Sequence, residues 1–284
     1  MNEQAKDLIK LMEKELESYN TKFLTISSGK GGVGKTSFAV NFAYILANFF
    51  NKKVLLIDAD VGMANIHVLL NLKPKKDIRK IIEETDISNL IERKENIDIL
   101  PGFSGIEEIS EIEDYALTRL IQKLSDISNR YDYILIDTSA GIDNRVISFI
   151  RAASRSYIIV TPEPTSMTDA YALIKSIRKL YGYSKFKLIV NMAESKREGI
   201  ATYNRLRESA KRFLDMDLQL AGILPKTKNM TLSIKKKEIF CKIYPDDMYT
   251  IELKKISSKE LGESVPVESG QSFWGRVLRF LRRG

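Results

Sequence analysis

Along the chain, short continuous runs of apolar and β-branched residues alternate with longer stretches in which apolar positions recur every three or four residues. The short runs cover Phe23–Ser27, Val54–Ile57, Ile97–Leu100, Tyr133–Ile136, Tyr157–Thr161, Lys187–Val190 and Leu218–Leu224, and they predict strands buried on both faces. The helical period predicts helices over Ser37–Phe49, Asp114–Asn129, Ser166–Leu180 and Ala201–Phe213. Strands separated by helices imply an α/β fold with a mostly parallel central sheet flanked by helices on both faces.

The two ends follow a different pattern. Residues 2–18 place Ala5, Leu8, Ile9, Met12 and Leu16 at helical spacing among charges, so an amphipathic lead helix is expected before the break at Tyr19-Asn20-Thr21. Ser257–Gly270, with Gly262, Pro266 and Gly270, reads as a loose tether. In the final segment Phe273, Trp274, Val277, Leu278, Phe280 and Leu281 fall within an arc of about 160° at helical spacing. Arg276, Arg279, Arg282 and Arg283 lie opposite. The resulting division is a lead helix over 1–19, one α/β domain over 20–262, and a tether with an amphipathic helix over 263–284.

Composition narrows the chemistry. One cysteine, Cys241, rules out an internal disulfide and a cysteine-ligated metal site within one chain, and it fits a reducing compartment. With one histidine, His67, a histidine-based metal site and a Ser/His/Asp triad are excluded too. The N-terminus lacks an apolar signal core and no run is long enough to span a bilayer, so a cytoplasmic location is expected. The net charge is +8 with pI about 9.3. Four of the arginines lie in residues 271–284, and six lysines (226, 228, 235, 236, 237 and 242) form a second cluster opposed only by Glu238. Such clusters are solvated faces or docking sites for anionic lipid or nucleic acid.

The informative residues sit at predicted strand ends, where ligands of parallel sheets bind. Gly29-Lys30-Gly31-Gly32-Val33-Gly34-Lys35-Thr36-Ser37 contains the phosphate-loop pattern G-x-x-x-x-G-K-[ST] between a strand and a helix. Its glycines let backbone N–H groups curl around phosphate oxygens, and the helix end adds positive potential. Lys35 would reach the β/γ-phosphates, and the Thr36 hydroxyl would bind Mg²⁺. Asp137 closes the apolar strand YILID, as expected of a residue that orients magnesium. Asp58 and Asp60 lie two apart in LIDAD, so one can serve magnesium while the other orients water. The loop also holds a second lysine, Lys30, that a phosphate loop does not need.

SGKGGVGKTS, IDADVGMAN and IDTSAG resemble the deviant Walker A ATPases of the MinD/ParA group, single-domain P-loop NTPases. The resemblance gives Lys30 a role: it would cross an ATP-dependent homodimer and contact the partner's phosphates, making hydrolysis conditional on dimerisation. It also implies ATP and Mg²⁺ as cofactors, Ser37 at the α-phosphate, Asp58 near magnesium, Asp60 positioning the water, and Asn191 with Pro225 at the adenine.

TPEPTSMTDAYALIK (161–175) and LPGFSG (100–105) further resemble the FlhG (YlxH/FleN) family, which sets flagellar number and placement. That resemblance implies a GTPase partner of the FlhF type and flagellar switch or C-ring components. Glu3-Gln4-Ala5-Lys6-Asp7-Leu8-Ile9 stands where the family has its partner-stimulating motif, so Gln4, Ala5 and Leu8 would dock the GTPase, while Ile9 replaces the motif's arginine. The family's terminal helix binds anionic membrane. Here Phe273, Trp274, Val277, Leu278, Phe280 and Leu281 would enter the interface, with Arg276 and Arg279 toward headgroups. The same face can dock on the domain in a monomer. Two departures stand out: Ser139 replaces a glycine near the γ-phosphate, and His67 replaces an acid. The alternatives are a ParA-like DNA-partitioning ATPase, which the apolar tail disfavours, a MinD-like division-site regulator, and a nucleotide-gated scaffold with little turnover. A nucleic-acid partner is not expected.

Overall fold

The computed structural model describes residues 21–60, 65–72, 87–100, 122–262 and 270–281. Eight strands form one sheet: β1 (Lys22–Ser28), β2 (Val54–Ala59), β3 (Glu92–Lys94), β4 (Ile97–Leu100), β5 (Tyr133–Ala140), β6 (Arg155–Val160), β7 (Phe186–Ala193) and β8 (Gln219–Pro225). Their spatial order is β3-β4-β2-β5-β1-β6-β7-β8, and every pair is parallel except β3 with β4.

The helices are α1 (Lys35–Phe49), α2 (Asn65–Leu70), α3 (Asn144–Ala152), α4 (Pro164–Tyr181), α5 (Lys196–Leu214), α6 (Lys228–Lys236), the single turn α7 (Phe240–Ile243), α8 (Met248–Gly262) and α9 (Gly270–Leu281). Residues 122–128 are helical as well. Because side chains alternate along a strand, β1 sends Leu24 and Ile26 to one face and Phe23 to the other. On the first face, α1, α7 and α8 pack through Phe38, Phe42, Phe240, Tyr249 and Leu253. On the second, α3 and α9 bring Phe149, Phe273 and Trp274, and further along the same sheet α4 and α5 bring Leu173 and Leu206.

All seven expected strands are present, and the apolar runs of β1, β2, β5, β6 and β7 are buried, whereas Leu220 and Ile223 of the edge strand β8 are half-buried. The expectation of a loose segment from Ser257 is corrected. Helix α8 runs to Gly262, Ser257 is fully buried, and its hydroxyl donates to the Leu253 carbonyl. Glu260 holds the end of this helix down, since its buried carboxylate accepts from both Arg155 and Tyr157 on β6. A serine- and glycine-bearing stretch is helical here because a buried ion pair anchors it. Residues 263–269 of the expected tether lie outside the described residues, as do the expected lead helix and LPGFSG beyond Leu100.

Candidate functional site

Strand β1 runs directly into the loop 29–34, and α1 begins at Lys35. Two glycines there are required by geometry. Gly34 sits just before α1 at φ 83°, the left-handed region, and a Cβ on it would lie 2.5 Å from Asn191 Nδ2. A Cβ on Gly29 would lie 2.2 Å from the Asp169 carbonyl carbon, so the loop is pressed against α4. The loop forms one wall of a cleft of about 950 Å³. Lys30, Gly31, Gly32, Val33, Gly34, Lys35, Thr36, Ser37, Asp60, Ser139, Asn191 and Pro225 all line it, which gathers the sequence-predicted nucleotide residues in one place.

Behind the loop, adjacent strands β2 and β5 bring Asp58 and Asp137 level in register. Both are fully buried. Lys35 Nζ donates to Asp137 Oδ1 at 2.8 Å, whereas Asp137 Oδ2 has no hydrogen-bond partner. Asp58 accepts from the backbone N–H of Ile66 and Asp60, at 3.1 and 3.2 Å. Burial, and then the neighbouring Asp137, push its carboxyl up to about 7. A carboxylate oxygen lacking a partner, a second acid beside it and the Thr36 hydroxyl at the cleft wall form an oxygen donor set suited to Mg²⁺. Among the described residues no cluster of three or more His, Cys, Asp or Glu side chains could hold a metal by itself. A magnesium here would share its coordination with phosphate oxygens and water.

Asn191 is almost fully buried, and its Nδ2 donates to the Val33 carbonyl at 2.8 Å. The next residue, Met192, takes the left-handed conformation at φ 58°, where the β7–β8 pairing is irregular. Such strain in a non-glycine residue concentrates at ligand sites. Here the kink leaves Met192 exposed at the cleft wall while Asn191 turns inward. The second lysine, Lys30, donates to Glu163 Oε2 at 3.0 Å and to Thr165 Oγ1 at 2.7 Å in its own chain.

Sequence reasoning missed the opposite wall of the cleft, made by Val68, Leu69, Met230, Ile234 and Tyr249. It also treated the lysine cluster as a separate face. Lys226, Lys228 and Lys237 in fact line the cleft, and the signal was the position of Lys226 directly after Pro225. Lys226 pairs with Glu194 and Lys242 with Glu95, so part of the cluster is neutralised locally.

Helix α9 places its apolar face on the domain. Phe273, Trp274 and Val277 are fully buried, and Leu278, Phe280 and Leu281 pack around them. Phe273 stacks on Phe23 with ring centroids 4.0 Å apart, and Trp274 Nε1 donates to Ser128 Oγ. Arg276 donates to the Ala152 carbonyl at 2.7 Å, whereas Arg279 is exposed. Gln4, Ala5 and Leu8, together with Arg282 and Arg283, lie outside the described residues. No helix among the described residues is long and apolar enough to cross a membrane.

Residues 21–190 match the family model described as an AAA domain. The chain is 37% identical to the antiactivator FleN of Pseudomonas aeruginosa, covering 83% of this chain and 85% of that protein. It is 35% identical to the flagellum site-determining protein YlxH of Helicobacter pylori over 99% of this chain and all of that one. Among solved structures, the septum site-determining protein MinD of Pyrococcus horikoshii, complexed with Mg-ADP, superposes with TM-score 0.67. It is 23% identical, with 84% of this chain and 96% of that chain covered. With the P-loop, the paired acids and the parallel sheet in place, these matches show that the chain belongs to the FlhG (YlxH/FleN) family of MinD/ParA-type P-loop ATPases.

Proposed function

We propose that this chain hydrolyses ATP slowly as a switch. ATP and Mg²⁺ would close a homodimer, free α9 for the membrane surface, and so regulate flagellar number or placement. The observation that carries this reading is the convergence of Lys35, Thr36, Asp58, Asp60 and Asp137 at the ends of β1, β2 and β5, with Lys30 at the rim of the same cleft. The similarity to the flagellum site-determining protein of Helicobacter pylori supports the cellular role.

Bound Mg²⁺-ATP supplies the phosphoanhydride bond and a cation that offsets charge on it. The chain's own part is mostly positioning and electrostatics. Backbone N–H groups of the loop and the start of α1 hold the phosphates. Lys35 would exchange its carboxylate partner for phosphate oxygen, and Thr36, Asp58 and Asp137 would hold the metal. Asp60 orients the attacking water. Lys30 reaches the partner's phosphates, much as an arginine finger is supplied in trans.

In the docked state the apolar face of α9 is covered, so membrane binding requires its release. An FlhF-type GTPase, flagellar switch components and the anionic inner membrane face are the proposed partners.

Flotation with anionic liposomes tests the switch. The hydrolysis-poor Asp60→Ala chain is loaded with ATP or ADP, with and without residues 271–284, and with duplex DNA as competitor. ATP-dependent flotation that disappears with the tail is the expected result. Salt-sensitive retention on DNA without flotation would replace this reading with a partitioning ATPase.

A further inference from the structure

Lys30 is restrained within its own chain by two acceptors at the start of α4: the carboxylate of Glu163, just before the helix, and the hydroxyl of Thr165 in its first turn. Glu163 occupies the position from which a polar side chain ordinarily accepts from the first helical N–H groups. It makes no such bond. Pro164 comes next and has no N–H to satisfy. The carboxylate faces the phosphate loop instead of its own helix. Beside Lys30, Gly29 is pressed against Asp169 and Ala170, which fixes the base of the lysine close to α4.

We propose that Glu163 and Thr165 are positioning residues that hold Lys30 in its own protomer until a partner's nucleotide draws it across the dimer interface. This rests on the reading of Lys30 as a residue that works in trans. Lys30 and Glu163 are 38% and 66% exposed in their side chains, so the pair is screened and weak. The multiply charged phosphates of a partner, in a site closed from water, are the stronger acceptor. The restraint therefore yields to ATP, and its cost to association is paid twice, once per protomer. The free chain is therefore biased toward the monomer.

The test is the ATP-dependent monomer–dimer equilibrium of the full chain in an Asp60→Ala background, read by sedimentation velocity over a protein concentration series. Glu163→Gln keeps the shape and removes the charge, and Thr165→Val removes the second acceptor. An exposed pair of this kind shifts an equilibrium by about 1.4- to 5-fold. With two pairs broken per dimer, the Glu163→Gln midpoint should fall by about two- to thirty-fold. Its melting temperature should match that of the parent, because an exposed side chain is replaced. An unchanged or higher midpoint overturns the proposal, and so does a shift that persists when Lys30→Met is added. Lys30→Met alone tests the underlying reading. If it dimerises with ATP like the parent, Lys30 does not act across the interface, whatever Glu163 does.

Discussion

Asp137 has one oxygen bound to Lys35 and the other without a partner, and both side chains lie inside the protein. Removing one member of a buried pair leaves an uncompensated charge, which costs about 3–5 kcal/mol. Nucleotide-free Lys35→Met should therefore lose stability of that order in urea denaturation at neutral pH, and a loss below about 1 kcal/mol would contradict the pairing. Asp58 adds a pH dependence. Its folded-state carboxyl is raised from 3.8 to about 7, so between these values the native state binds a proton that the unfolded state has released. Stability from this group is thus lost as pH rises through that window. From pH 5 to pH 8 the nucleotide-free wild type should lose about 2.5 kcal/mol relative to Asp58→Asn, followed as the difference between the two unfolding curves. A difference that stays constant with pH would show that Asp58 is already ionised at pH 5.

At the scale of elements, the proposed switch turns on where α9 sits. Its hold on the domain combines buried aromatic area with a sandwich in which the Arg151 guanidinium lies 3.8 Å from the Tyr181 ring centroid and 3.7 Å from that of Phe280. Only the Phe280 contact ties Arg151 to α9, and it contributes about 0.5–1 kcal/mol, so Arg151→Ala should make α9 undock about 2- to 5-fold more often. Trp274 is the chain's one tryptophan and is fully buried in α9, so its emission reports docking directly. A red shift and faster amide exchange across 270–281 in Arg151→Ala are expected, and an unchanged spectrum and exchange pattern would show that Arg151 does not hold the helix.

The sequence pattern made α9 legible as an amphipathic helix, because its apolar arc and arginines are explicit. It could not say what that arc covers, since a core and a membrane surface select the same residues. The edge strand β3 was illegible for a different reason. It is short and polar, and its turn to β4 uses Glu95 and Asn96 at positive φ without the glycine that usually marks such hairpins. Helix α8 was hidden by Ser257 and Gly262 until the buried partners of Glu260 showed why it persists.

For the whole molecule, the doubly covered parallel sheet followed from apolar runs alternating with helical periods, and the phosphate loop, Asp58 and Asp137 followed from their positions after those runs. The apolar wall of the cleft did not, because Val68, Met230 and Tyr249 come from helices far apart in sequence and only the fold brings them together. Nor could sequence reveal that Lys30 is held by Glu163, 133 residues away. The central claim is that Lys30 serves the partner's nucleotide while Asp60 serves its own. Mixing Lys30→Ala with Asp60→Ala tests it most directly. Each variant alone should be inactive. In a mixed dimer, the Lys30→Ala protomer keeps its own Asp60 and receives Lys30 from its partner. An equimolar mixture should therefore recover about a quarter of the wild-type ATPase rate, from half the dimers with one working site each. Recovery of no activity, with mixed dimers shown to form, would place Lys30 in its own site and contradict the account.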